Sequence, residues 1–139
     1  MKRSAAFAIG IAATLAATAL WHGPGGAGQR LAKSIDHDVR AMLDHYEMQA
    51  VGARIQHDPL TRRIMLDGPA DDFQRSEIKR MSQSLPGVAS AHWIGSGDKT
   101  RQLPLLAEAM LLALACFAAG GVLAYIAALR RRAREALLA

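Results

Sequence analysis

The chain has 139 residues, room for one small domain and membrane segments but not for a large multidomain enzyme. Hydrophobic residues reach 51% while aromatics stop at 5%, and Ala and Leu supply the excess, a balance that fits lipid-facing helices better than a broad aromatic core. The net charge of +5 sits in the tails, Lys2 and Arg3 at one end and Arg130, Arg131, Arg132 and Arg134 at the other, so it argues for membrane topology and against nucleic-acid binding.

Residues 1–21 read as a short cytoplasmic tail and a transmembrane helix. Ser4 to Trp21 carries no charge, and as a helix it covers about 27 Å, near the lower limit for a span. Trp21 suits a membrane–water interface. Ala17-Thr18-Ala19 keeps a cleaved signal peptide open as the alternative, although the apolar run exceeds the usual signal core. Small residues spaced by four, Ala6, Gly10, Thr14 and Thr18, form a stripe that permits close helix packing in lipid. Residues 22–29, HGPGGAGQ, read as a Gly/Pro linker leading away from the membrane.

From Leu31 the apolar period becomes helical. Leu31, Ile35, Val39, Met42, Leu43 and Tyr46 share one stripe, predicting a helix from about Gln29 to Tyr46. Val51, Ala53 and Ile55 alternate with Gly52, Arg54 and Gln56, the pattern of a half-buried strand. Asp58-Pro59-Leu60-Thr61 is a turn, and Ile64-Met65-Leu66 a second strand closed by Asp67-Gly68-Pro69. Asp71 with Gln74 three residues on is a capping-box variant. It opens a second helix, Asp72 to Ser84, whose expected buried side is Phe73, Ile78, Met81 and Leu85. Leu85-Pro86-Gly87 stops it, with a positive φ expected at Gly87. Val88 to Ile94 makes a third strand, with Trp93 under a helix and His92 on the outer face. Residues 96–102 form a return linker.

Leu103 to Leu129 contains a single charged residue, Glu108, and no polar face. As a helix it is about 40 Å long against a hydrocarbon core of roughly 30 Å, so it spans with tilt or with one end standing proud. Glu108, one turn in, is expected to snorkel toward the interface. Gly120 and Ala124 form a second small-residue pair. Cys116, the sole cysteine, reads as a small membrane-helix residue and excludes an internal disulfide. Residues 130–139 are a basic cytoplasmic tail. Two spans with basic ends imply a two-pass protein with both termini cytoplasmic; in a Gram-negative bacterium the membrane is the inner one and the middle is periplasmic.

The expected fold class is α+β: a two-layer αββαβ sandwich, three strands and two helices over residues 30–95, flanked by two transmembrane helices. The strand pair, the glycine after Leu66-Asp67, the helix with Arg75 and Ile78, and Leu85-Pro86-Gly87-Val88 before an alternating strand resemble the BON domain. That family comprises small envelope domains of periplasmic proteins and outer-membrane lipoproteins. This chain carries one copy, with a second span after it. The resemblance implies a non-catalytic module that binds a phospholipid surface or another envelope component.

Nothing in the chain matches a nucleophile motif, a phosphate loop or a metal-ligand cluster, so no catalytic residue, cofactor or metal ligand is assigned. Asp38 and His45 share a helix face but make only two ligands. The expected partners are membrane lipids or another envelope or inner-membrane protein. The alternative role is an accessory subunit held through its spans. Candidate contact residues are basic: Arg75 and Lys79 lie four apart, Arg80 follows, and Arg62 and Arg63 sit at the hairpin, a set that can face anionic headgroups.

Overall fold

The computed structural model describes residues 3–97 and 102–138. Lys2 and most of the return linker, residues 98–101, lie outside the described residues. Four helices and three strands follow in the order α1 (Arg3–His22), α2 (Ala27–His45), β1 (Gly52–His57), β2 (Leu60–Asp67), α3 (Asp72–Ser84), β3 (Ser90–Trp93) and α4 (Leu105–Leu138). The fold is α+β, and α1 and α4 are long and apolar enough to cross a membrane.

The glycine run after α1 is a turn and not the expected linker. Gly23 N–H donates to the Ala19 carbonyl at 2.9 Å and Gly25 N–H to the Leu20 carbonyl at 2.7 Å. Gly26, at φ 69°, reverses the chain, and α2 begins at the next residue. Side chains at two of these positions would strike backbone: a Cβ on Gly23 would lie 2.9 Å from the Ala19 carbonyl oxygen and one on Gly25 2.6 Å from that of Trp21. The glycines therefore make a close corner between α1 and α2.

The sheet order is β1-β2-β3. The β1–β2 hairpin is antiparallel, with Ile55 opposite Ile64 and His57 opposite Leu60. The turn is thus shorter than expected, Asp58-Pro59 alone, and β2 starts at Leu60. Three β2 residues between those pairs face one on β1, a bulge that changes which side chains of β2 point inward. Strand β3 lies parallel to β2, with Ile64 opposite Ala91 and Leu66 opposite Trp93. Two strands joined through a helix can run in the same direction, which a short hairpin cannot achieve. β3 is shorter than expected, because Ile94 already belongs to a turn and is exposed.

One sheet face holds the core. Ile55, Ile64, Leu66, Ala91 and Trp93 meet Ala32, Ile35, Val39 and Leu43 of α2 and Ile78 of α3. Six Val, Leu and Ile side chains are at most 1% exposed, and burying each contributes roughly 2 kcal/mol. The α2 stripe runs through Gly28, Ala32, Ile35, Val39 and Leu43; Tyr46, expected in it, falls after the helix and is exposed. α3 has the expected capping box, with Gln74 N–H on Asp71 Oδ1 at 2.7 Å and Asp71 N–H on Gln74 Oε1 at 3.1 Å. Its buried side is Ile78 and Ser82. Phe73, expected there, is 74% exposed, because position 73 lies off the Ile78/Ser82 line in the first turn.

Gly68 and Gly87 both have positive φ, 113° and 84°. Gly87 is also a close-approach point: a Cβ there would sit 3.2 Å from Ile35 Cδ1. His92 points away from the core as expected, yet it is buried and engaged.

α1 and α4 pack antiparallel. Phe117 sits over Gly10, where a Cβ would come within 2.8 Å of its Cζ, and Phe7 reaches Gly121. The two rings meet edge to face at 6.0 Å between centroids. Gly10, Thr14 and Thr18 of the expected stripe are half-buried, while Ala6 is exposed. On α4 the contact residues are Phe117 and Gly121; Gly120 and Ala124 face outward, one step around the helix. α4 remains helical past Leu129 into the basic tail.

Candidate functional site

The site builds up from Leu60, the first residue of β2. The tight hairpin turn pushes Leu60 toward the corner between α1 and α2. A Cβ on Gly28 would lie 3.2 Å from the His22 carbonyl oxygen, 3.4 Å from Leu60 Cδ2 and 3.5 Å from Leu105 Cδ2. Gly28 is thus the floor on which the hairpin tip and the first residue of α4 meet. Leu105 is 8% exposed there. A small cavity of about 200 Å³ remains, lined by His22, Gly28, Leu60, Pro104 and Leu105 among others.

Two residues along β2, Arg62 Nε donates to Glu108 Oε2 at 2.8 Å. Glu108 lies in the first turn of α4, where the helix macrodipole favours an acid. Both side chains are about one-third exposed, so the pair contributes on the order of 1 kcal/mol. Its geometry matters more than its energy. The one acid within the apolar part of α4 answers to an arginine of the domain, where snorkelling to water was expected. Gln102 adds a second tie, its Nε2 donating to Ser90 Oγ of β3 at 2.6 Å. The hairpin end of the sheet is therefore seated on α1 and α4.

The basic residues singled out in the sequence divide between places. Arg62 belongs to this seat. Arg63 lies beside it on the sheet face away from the core, opposite Ser90, half-buried and engaged. Arg75 stands at the other end of β2 and β3. Its carbonyl accepts the Trp93 indole N–H at 3.0 Å, its guanidinium lies 5.1 Å from the Trp93 ring centroid, and its Nε donates to the Ala70 carbonyl. Trp93 is thus packed under α3, as its alternation with Ala91 suggests. Arg80 pairs with Glu77 at 2.6 Å. That hydrogen bond holds the Glu77 carboxyl below its ordinary range and raises Arg80. Lys79 is half-buried and makes no ion pair among the described residues. The geometry joins Arg75 to Trp93 and Arg62 to Glu108; it does not gather all five into one patch.

Asp36 has a structural task. Its Oδ1 accepts the Ile55 N–H at 2.8 Å and its Oδ2 lies 3.8 Å from His57 Nε2, tying α2 to β1. His45 stacks edge-on against Tyr46. Among the described residues no three His, Cys, Asp or Glu side chains converge as metal ligands. Sequence reasoning had both Arg62 and Glu108 in view but not their pairing, and it missed Leu60, Gly28 and Leu105. A lone acid one turn into an apolar helix was the available signal, since such a group requires a partner. Comparisons of the chain with protein-family models, with curated proteins and with solved structures found no match.

Proposed function

We propose that the chain is a non-catalytic, two-pass protein of a bacterial inner membrane whose periplasmic domain is a binding module for another envelope component. On this reading the domain is a two-layer αββαβ sandwich similar to the BON domain. Support comes from the core, in which α2 and Ile78 of α3 meet the same face of the sheet. The observation that carries the functional reading is the seat itself. Arg62–Glu108 and Leu60 commit the hairpin end of the domain to its own helices. The opposite end offers a surface to something else: exposed Phe73, and Arg75 over Trp93, with Lys79 one turn along α3. Arg75 stands away from the bilayer that anchors the chain, which favours a separate envelope component over the lipid of that bilayer.

The test places a photo-crosslinking phenylalanine analogue at position 73 of the full-length protein in membranes. A protein adduct of one defined size, weakened by Arg75→Glu, is the expected result. Adducts to lipid alone would move the reading to a phospholipid surface, and no adduct at all would remove the binding-module reading. Topology is tested separately: an alkaline phosphatase fused after Ser96 should be active, and one fused after Ala139 inactive.

A further inference from the structure

Beyond the Phe7–Phe117 contact, toward the domain, a laterally open groove of about 540 Å³ separates α1 from α4. Its walls include Ala17, Thr18, Leu112, Ala113 and Cys116, with Trp21 and His22 at the mouth. The volume lies within the range of small-ligand sites. Below the His22 imidazole the walls are apolar in effect, because the Thr18 hydroxyl donates back to the Thr14 carbonyl of its own helix at 2.8 Å. Trp21 is 63% exposed, and an indole in that position marks the interfacial level of a span.

Charge enters at the same mouth. The Arg30 guanidinium lies 5.7 Å from the Trp21 ring centroid and donates one hydrogen bond to the Gly25 carbonyl at 2.8 Å. A guanidinium has five N–H donors, so this bond leaves four for a ligand. Glu108, the acid of α4 nearest this level, is engaged by Arg62. The mouth of the groove is therefore cationic and its depth apolar.

We propose that this groove holds one anionic phospholipid of the surrounding bilayer, an acyl chain between α1 and α4 and the phosphate on Arg30. The proposal rests on the reading of α1 and α4 as spans. The site lies outside the domain, and none of the five basic residues discussed above belongs to it. It would fill the space between α1 and α4 on the domain side of the Phe7–Phe117 contact.

The experiment reconstitutes the full-length Trp93→Phe protein, leaving Trp21 as the only tryptophan, in phosphatidylcholine vesicles. A minor fraction of the lipid is brominated phosphatidylglycerol or brominated phosphatidylcholine, and quenching of Trp21 is read. The expected result is about fivefold preferential quenching by the anionic lipid, the factor that one basic side chain near anionic headgroups supplies. Arg30→Gln should make the two lipids equal, and Arg54→Gln, at an exposed position of β1, should change nothing. Cys116→Phe, which fills the groove, should remove the preference while Arg30 remains. A preference that survives Cys116→Phe is diffuse surface attraction and overturns the site. Equal quenching by both lipids in the Trp93→Phe protein also overturns it, and leaves the spans standing. If neither lipid quenches Trp21, the membrane reading fails along with the proposal.

Discussion

At Gly87 two demands coincide, a φ of 84° and an Ile35 methyl 3.2 Å from where a Cβ would stand. Gly87→Val therefore combines left-handed strain with overpacking against α2, and should destabilise the domain by about 2 kcal/mol or more. Thermal unfolding of the full-length protein in detergent, followed by circular dichroism, checks this. Ser82 presents the opposite case. It is fully buried in α3 with its hydroxyl unpartnered among the described residues. Alanine removes that cost and is the better helix former, so Ser82→Ala should stabilise by up to about 1 kcal/mol. Arg62 and Glu108 are best tested together. Either residue changed to Gln strands its partner, and the Arg62→Gln/Glu108→Gln double variant should lose less than the sum of the singles. The coupling is expected to be on the order of 1 kcal/mol.

At the scale of elements, the packing of α1 on α4 depends on glycines that receive aromatic rings. Gly10→Leu drives a side chain into Phe117, whose ring already lies 2.8 Å from the Cβ position. The variant should lower the melting temperature in micelles. Phe117→Ala should lower it too, by removing the ring that fills the notch. The two together should recover part of the loss, because the leucine then occupies the space the ring vacates. Losses that simply add would mean that the two positions do not touch. The α3 element was readable from its residues: Asp71, Gln74 and the Leu85-Pro86-Gly87 stop bound it where the sequence indicates. Its buried face was less readable. Phe73 is large and apolar, but in the first turn it lies off the Ile78 line and is exposed, and a short Ser82 is buried instead.

For the whole molecule, the decisive feature is the junction of domain and helices. Leu60 and Leu105 both approach the Gly28 floor, so the cysteine pair Leu60→Cys/Leu105→Cys, in a Cys116→Ala background, should be joined by a short bis-maleimide in membranes. Adding Arg62→Glu sets two acids face to face and should sharply reduce the yield. An unchanged yield would show that the hydrophobic contact alone holds the seat. A domain fixed in this way presents its far end, with Phe73 and Arg75, at a set orientation to α1 and α4.

By itself the sequence determined the local elements: two long apolar helices, a capped and glycine-stopped α3, an amphipathic α2 and alternating strands. Each of these follows from periodicity, caps and breakers within a few residues, which is information a single chain carries openly. Contacts between distant residues were decided only in the tertiary structure. The glycine run 23–26 is compatible with a spacer or a corner, and backbone hydrogen bonds to Ala19 and Leu20 make it a corner. Arg62 and Arg63 look alike in sequence, and the β2 bulge and the position of α4 bring Arg62 to Glu108 while Arg63 lies opposite Ser90. Gly120 and Gly121 are adjacent small residues on one helix, and the 100° step between them decides which receives Phe7. Each of these choices turns on a few ångströms of placement between segments far apart in the chain, and no local pattern encodes such a distance.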